Sequence, residues 1–168
     1  YQLHFKKGKV CGKKGHELIV EPADRKKTGT LIRWRPDIEV FTDISIPEEH
    51  LADMLHRQAV VNAGVTFRLK IQKNGKFETR DFLYANGIKD YVAELAGENP
   101  LTQPEFMSAE RKGRDREDKP EYKVKLSAAF CFSNRVTALE YYHNSSWLEN
   151  GGAPDKAVRT AFTYAIDA

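Results

Sequence analysis

Side chains able to do acid–base, nucleophilic or metal chemistry are present in this sequence but scattered. Five histidines stand at His4, His16, His50, His56 and His143, and none forms an H-x-H or H-E-x-x-H pair. His50 and His56 are six residues apart, which sets them on different faces of a helix. No metal site is therefore expected. Cys11 and Cys131 are far apart and make no C-x-x-C. Cys131 stands in Ala128-Ala129-Phe130-Cys131-Phe132 and reads as a small hydrophobe in a buried strand, in a reducing compartment. Gly12-Lys13-Lys14-Gly15 lacks the spacing, the Lys-Ser/Thr pair and the following helix of a phosphate loop, so it reads as a basic turn. Glu48 and Glu49 beside His50 suit the dipole of a helix N-terminus rather than an acid–base dyad. The residues compose no complete catalytic set.

Contact with an anion is the other chemistry to consider. The run Glu110–Lys119 holds five basic residues against four acidic ones, and it reads as a solvated connecting loop. Lys156 and Arg159 are better placed, just past Gly151-Gly152 at the start of a helical pattern. A nucleic-acid phosphate there would meet both side chains and the free N–H groups of the helix. The competing reading is that both are ordinary exposed helix residues.

These residues need elements to position them, and the composition permits a core. The chain has 168 residues, 40% hydrophobic and 30% charged, with a net charge of +3. That is enough for one ordinary domain or two small ones, and it excludes a disordered or collagen-like chain. No apolar run approaches the ~20 residues of a membrane helix. The mild basic excess permits nucleic-acid contact without arguing for it.

The first forty residues read as short strands. Tyr1–Phe5 alternates, Lys7-Gly8 supplies a turn, Leu18-Ile19-Val20 is apolar, and Thr30–Trp34 reads as a strand stopped by Pro36. From Ser45 the pattern changes. Ser45-Ile46-Pro47-Glu48 has capping-box spacing before a helix that Gly64 closes. Val65–Ile71 and Phe77–Tyr84 flank Asn74-Gly75, which predicts a type I′ hairpin. Gly87–Gly97 predicts a helix. Tyr122–Phe132 predicts a long strand paired with Arg135–His143 across Ser133-Asn134, and Asp155–Ala168 predicts a last helix. The class is α+β, with a mostly antiparallel sheet and helices on one face. The chain opens inside a strand pattern and closes inside a helical one, which reads as a piece of a larger protein.

At Thr28-Gly29-Thr30-Leu31-Ile32-Arg33-Trp34-Arg35-Pro36-Asp37-Ile38-Glu39-Val40-Phe41 the chain resembles the B subunits of bacterial type IIA topoisomerases, DNA gyrase and topoisomerase IV. Gln58–Val65, Phe82–Val92 and Asn144–Gly152 resemble further segments of that family in the same order. The resemblance implies that residues 1–43 are the last strands of a GHKL ATPase domain. Residues 44–168 are then a transducer domain, incomplete at its C-terminal end. It implies a cytoplasmic, ATP-dependent DNA topoisomerase whose transducer couples ATP binding and hydrolysis to gate closure and strand passage. The implied cofactors are ATP and Mg in the parent enzyme, with none bound to this piece, which alone is expected to be inactive. The implied partners are double-stranded DNA, the A subunit and another copy of the B subunit, with no membrane. Thr30 matches the family's strand threonine in the hydrogen-bond network around the adenine. Glu149 stands where gyrases often carry an Arg facing DNA, which favours Lys156 and Arg159 as the DNA contacts here. The alternatives are the transducer region of a mismatch-repair or chaperone GHKL ATPase, and a free-standing nucleic-acid- or protein-binding domain.

Overall fold

A computed structural model of the chain describes residues 1–167; Ala168, where the expected last helix ends, lies outside the described residues. The fold is α+β with antiparallel strand pairing, and it divides into two compact units, Tyr1–Ile46 and Pro47–Ala168.

In the first unit β1 (Phe5–Lys6) pairs with β2 (Lys9–Val10). Their two-residue loop is Lys7-Gly8, with φ of 50° and 73°, the doubly positive geometry that matches strand twist. Gln2 and Ile19 form one isolated bridge. Elsewhere the backbone turns on aspartates: the Lys26 amide donates to Asp24 Oδ1 at 3.0 Å and the Glu39 amide to Asp37 Oδ1 at 2.9 Å. Thr30–Trp34, expected as a strand, joins no ladder, and Leu31 and Ile32 are 86% and 79% exposed. A strand's ladder hydrogen bonds come only from a neighbouring strand, and no described strand pairs with this stretch.

The second unit begins with α1 (Glu48–Val61). Its N-cap is Pro47 and makes no side-chain cap bond, so the expected capping box does not form. The Ser45 amide instead donates to Asp43 Oδ1 at 2.7 Å. Glu48 and Glu49 occupy the first turn, where the dipole favours them. They also reach the hairpin of β3 (Phe67–Lys73) and β4 (Lys76–Phe82): Glu48 meets Lys73 at 2.8 Å and Glu49 meets Arg80 at 2.9 Å. Asn74 and Gly75 carry φ of 50° and 79°, as a type I′ turn demands. Seven residue pairs run in register from Phe67↔Phe82 to Lys73↔Lys76.

The helix α2 (Ile88–Ala96) lies between Gly87 and Gly97. Gly87 has φ +60°, and a Cβ there would sit 3.1 Å from Ala63 Cβ and 3.2 Å from the Val60 carbonyl, so only glycine fits. Tyr84 precedes it, and its carbonyl accepts the amides of Gly64 at 2.9 Å and Gly87 at 3.2 Å. Ala59, Val60 and Tyr84 form the buried core, with Val61, Phe67, Phe82, Ile88 and Tyr91 packed against it.

The strands β5 (Glu105–Gly113) and β6 (Tyr122–Phe130) then pair over nine positions, Glu105↔Phe130 to Gly113↔Tyr122. This corrects two expectations. The partner of β6 precedes it in sequence, and part of the charged run is strand rather than loop. Charged side chains sit close to one another there: Lys123 meets Glu110 at 3.0 Å. Arg135–Glu140 forms no strand; β7 (Tyr142–His143) pairs only with β8 (Ser146–Trp147). Cys131 sits one residue past β6, half-buried, and its thiol donates to the Thr102 carbonyl at 3.0 Å. The last helix, α3 (Gly152–Asp167), packs through Phe162 against Phe130 and Phe132, with ring centroids at 5.6 Å and 6.3 Å.

Candidate functional site

The start of α3 is built by its two glycines. Gly151 is buried with φ +69°, and a Cβ there would lie 2.7 Å from Asp155 Cβ and 3.3 Å from Tyr141 Cδ2. Glycine therefore lets the loop press against the first helical turn, and Pro154 fits that turn without needing an amide partner. Lys156 and Arg159 project from successive turns as i, i+3 neighbours and are both exposed. They differ in charge availability. Arg159 Nε donates to both Asp155 oxygens, at 3.0 Å and 2.9 Å, which holds the Asp155 carboxyl below its usual range. Lys156 forms no ion pair among the described residues. The Tyr141 hydroxyl lies buried beside Asp155, and burial first, then interaction with the Asp155 carboxylate, raises its pKa.

Thr30 lies in the first unit, exposed and outside any strand. No group of three His, Cys, Asp or Glu side chains able to hold a metal ion occurs among the described residues.

A cluster of phenols and carboxylates at the core edge includes Tyr84 and Tyr91 of the Phe82–Val92 segment, but none of its residues is singled out as a site residue from the sequence. Tyr84 donates its hydroxyl hydrogen to Glu94 at 2.9 Å, so His56 Nε2, 2.8 Å away, must be the donor to Tyr84. Glu140 accepts from Tyr91 at 2.8 Å and Tyr142 at 2.7 Å, one bond per oxygen. The rings of His56, Tyr84 and Tyr91 meet edge to face at 5.5–5.8 Å. Burial, reinforced by Glu140, raises the Tyr91 phenol to about 12; burial and a carboxylate raise Tyr84 and Tyr142 further. These phenols stay protonated at neutral pH and serve as struts rather than nucleophiles. The signal available in sequence was His56 at helical spacing with Ala52, Ala59 and Val60, the mark of a core histidine.

No family model and no solved structure matches the chain. Curated relatives do. The chain is 26% identical over 170 residues to the B subunit of DNA gyrase from Mycoplasmoides gallisepticum, covering 99% of this chain and 26% of that protein. It is 28% identical over 167 residues to the gyrase B subunit of Campylobacter jejuni, covering 99% and 20% respectively. It is 24% identical over 176 residues to the B subunit of DNA topoisomerase 4 from Rickettsia felis, covering 98% and 26%. The chain thus spans about a quarter of the length of these relatives. No described helix is long and apolar enough to cross a membrane. Over nearly its whole length the chain is similar to the B subunits of DNA gyrase and topoisomerase IV, the family that its own motifs resemble.

Proposed function

We propose that this chain is the part of a type II DNA topoisomerase B subunit where a GHKL ATPase domain, residues 1–43, gives way to a transducer domain, residues 44–168. The observation that carries the reading is the similarity to gyrase B subunits over 99% of the chain. A supporting one is the exposure of Phe5, Leu31, Ile32 and Phe41 in the first unit, which suits strands of a larger sheet. The parent enzyme is then an ATP-hydrolysing topoisomerase of the cytoplasm. Its partners are double-stranded DNA, an A subunit and another copy of the B subunit.

The chain's own part is mechanical. ATP with Mg²⁺, when bound to the parent, supplies the change of charge state that drives gate closure. Thr30 contributes a hydroxyl to the adenine's hydrogen-bond network. The core of α1, the β3–β4 hairpin and α2 transmits displacement as a stiff body, because packed cores switch between arrangements rather than deform. Lys156 and Arg159 meet phosphates of the captured duplex, which gives an attraction indifferent to sequence.

Two experiments test this. The intact parent protein, assembled with its A subunit, should change the linking number of plasmid DNA only when ATP is present; a parent without ATP-dependent strand passage sinks the proposal. For the DNA contact, duplex binding by this chain should fall with salt at a log–log slope of about −1.8 for two phosphates. Lys156→Glu should weaken every duplex alike and flatten that slope by about 0.9. An unchanged slope would remove Lys156 from the interface.

A further inference from the structure

We propose that the groove between α1 and the β7–β8 hairpin binds a purine nucleobase, guanine in preference to adenine. This goes beyond the function proposed above, which calls only for phosphate contacts to DNA and for an adenine contact at Thr30. The groove encloses about 320 Å³, lined on one side by His50, Asp53 and Arg57 of α1 and on the other by Ser145, Ser146 and Trp147. That volume is at the small end of ligand pockets and leaves room for a single flat base. Its walls are tied together: Gln58 Nε2 donates to the Ser145 carbonyl at 2.8 Å.

The chemistry follows from Arg57. Its Cζ lies 3.8 Å from the centroid of the Trp147 ring. That contact stabilises the charge but accepts none of the five N–H donors, and no ion pair to Arg57 forms among the described residues. A half-buried guanidinium with unanswered donors suits a ligand that offers acceptors. Asp53, four residues earlier on the same helical face, is exposed and forms no ion pair among the described residues. The groove therefore presents a donor set and an acceptor set side by side. Trp147 and Met54 line it and remain 39% and 47% exposed, giving apolar surface for a flat ring.

A phosphate would answer Arg57 but meet the like charge of Asp53. Guanine answers both: O6 and N7 accept from a guanidinium in a bidentate pair, while N1–H and the N2 amino group donate to a carboxylate. Adenine carries an amino group where guanine has O6, so one of the guanidinium's donors would face another donor. Stacking on exposed aromatic surface supplies the remaining affinity, as it does for unpaired bases generally.

The protein's two tryptophans make the test direct. In a Trp34→Phe chain, Trp147 emission reports on the groove alone. Guanosine monophosphate should quench it saturably, at least about fivefold more tightly than adenosine monophosphate, the lower bound for one good bidentate contact. Inorganic phosphate should do nothing. Arg57→Gln should weaken guanosine monophosphate binding at least about fivefold. Asp53→Ala, at an exposed position, should reduce the preference over adenosine monophosphate by removing the acceptor for N1–H and the N2 amino group. Quenching by phosphate alone, equal affinity for the two nucleotides, no saturable response, or undiminished preference in Asp53→Ala would each overturn the proposal.

Discussion

The two units of this chain draw on the same kinds of residue and reach opposite outcomes. Tyr1–Ile46 contains Phe5, Leu31, Ile32, Trp34 and Phe41, yet it buries no residue at all. The second unit buries Ala52, Ala59, Val60, Tyr84 and Ala96. Apolar content does not separate them; the source of the backbone hydrogen bonds does. A helix such as α1 satisfies its own amides, and a hairpin closed by Asn74-Gly75 finds its partner two residues away. An isolated run such as Thr30–Trp34 must borrow a partner, and hydrophobic side chains cannot pack until the backbone beneath them is held.

The sharpest way to break this contrast is Gly87→Ala. The positive φ and the contacts at 3.1 Å and 3.2 Å should together cost about 2–3 kcal/mol. Urea unfolding followed by amide exchange should show the second unit weakened, with exchange at Leu31 and Ile32 unchanged. Alkaline pH comes next. Tyr84, Tyr91 and Tyr142 have folded pKa values above the ordinary 10.0, so the folded state holds their protons more tightly than the unfolded one. Their contribution is whole below pH 10 and drains away as pH climbs through about 12, where Tyr91 titrates. The urea midpoint of the second unit should therefore drop as pH rises from about 10 towards about 12, together with late phenolate absorbance. Tyr84→Phe should cost about 1 kcal/mol, since one hydroxyl serves both His56 and Glu94. Smallest of all, Leu31→Thr should change stability by less than about 0.5 kcal/mol, because that side chain is already in water. A measurable loss there would mean that the first unit packs more than its exposure shows.

Local rules made much of the second unit legible. Glycines at 87 and 97 bracketed α2, Asn74-Gly75 marked its hairpin, and the apolar spacing through Phe162 marked α3. What escaped was non-local. Ladder β5–β6 sets charge beside charge on exposed faces, as in Glu110↔Lys125 and Lys112↔Lys123; β6 still alternates Tyr122, Val124 and Leu126 with polar residues and was legible as a strand, whereas β5, Glu105–Gly113, carries no period of two. The Ser45 capping pattern was genuine in spacing but lost to Asp43, which took the Ser45 amide first. Among the candidate residues, the neighbourhood of Lys156 and Arg159 was readable, while the Asp155 clamp on Arg159 was visible only as an i, i+4 pair. Arg57 and Trp147 lie about ninety positions apart and share no local pattern.

The double-accepting carbonyl of Tyr84 has a mechanical corollary. The chain leaving one helix and the chain entering the next are hung from a single oxygen. Neither can swing away without loosening its neighbour's hold. Because both bonds are made by main-chain atoms, the yoke survives replacement of the Tyr84 side chain. A push delivered along the first helix is therefore passed to the second through a joint that side-chain substitution at that position cannot sever.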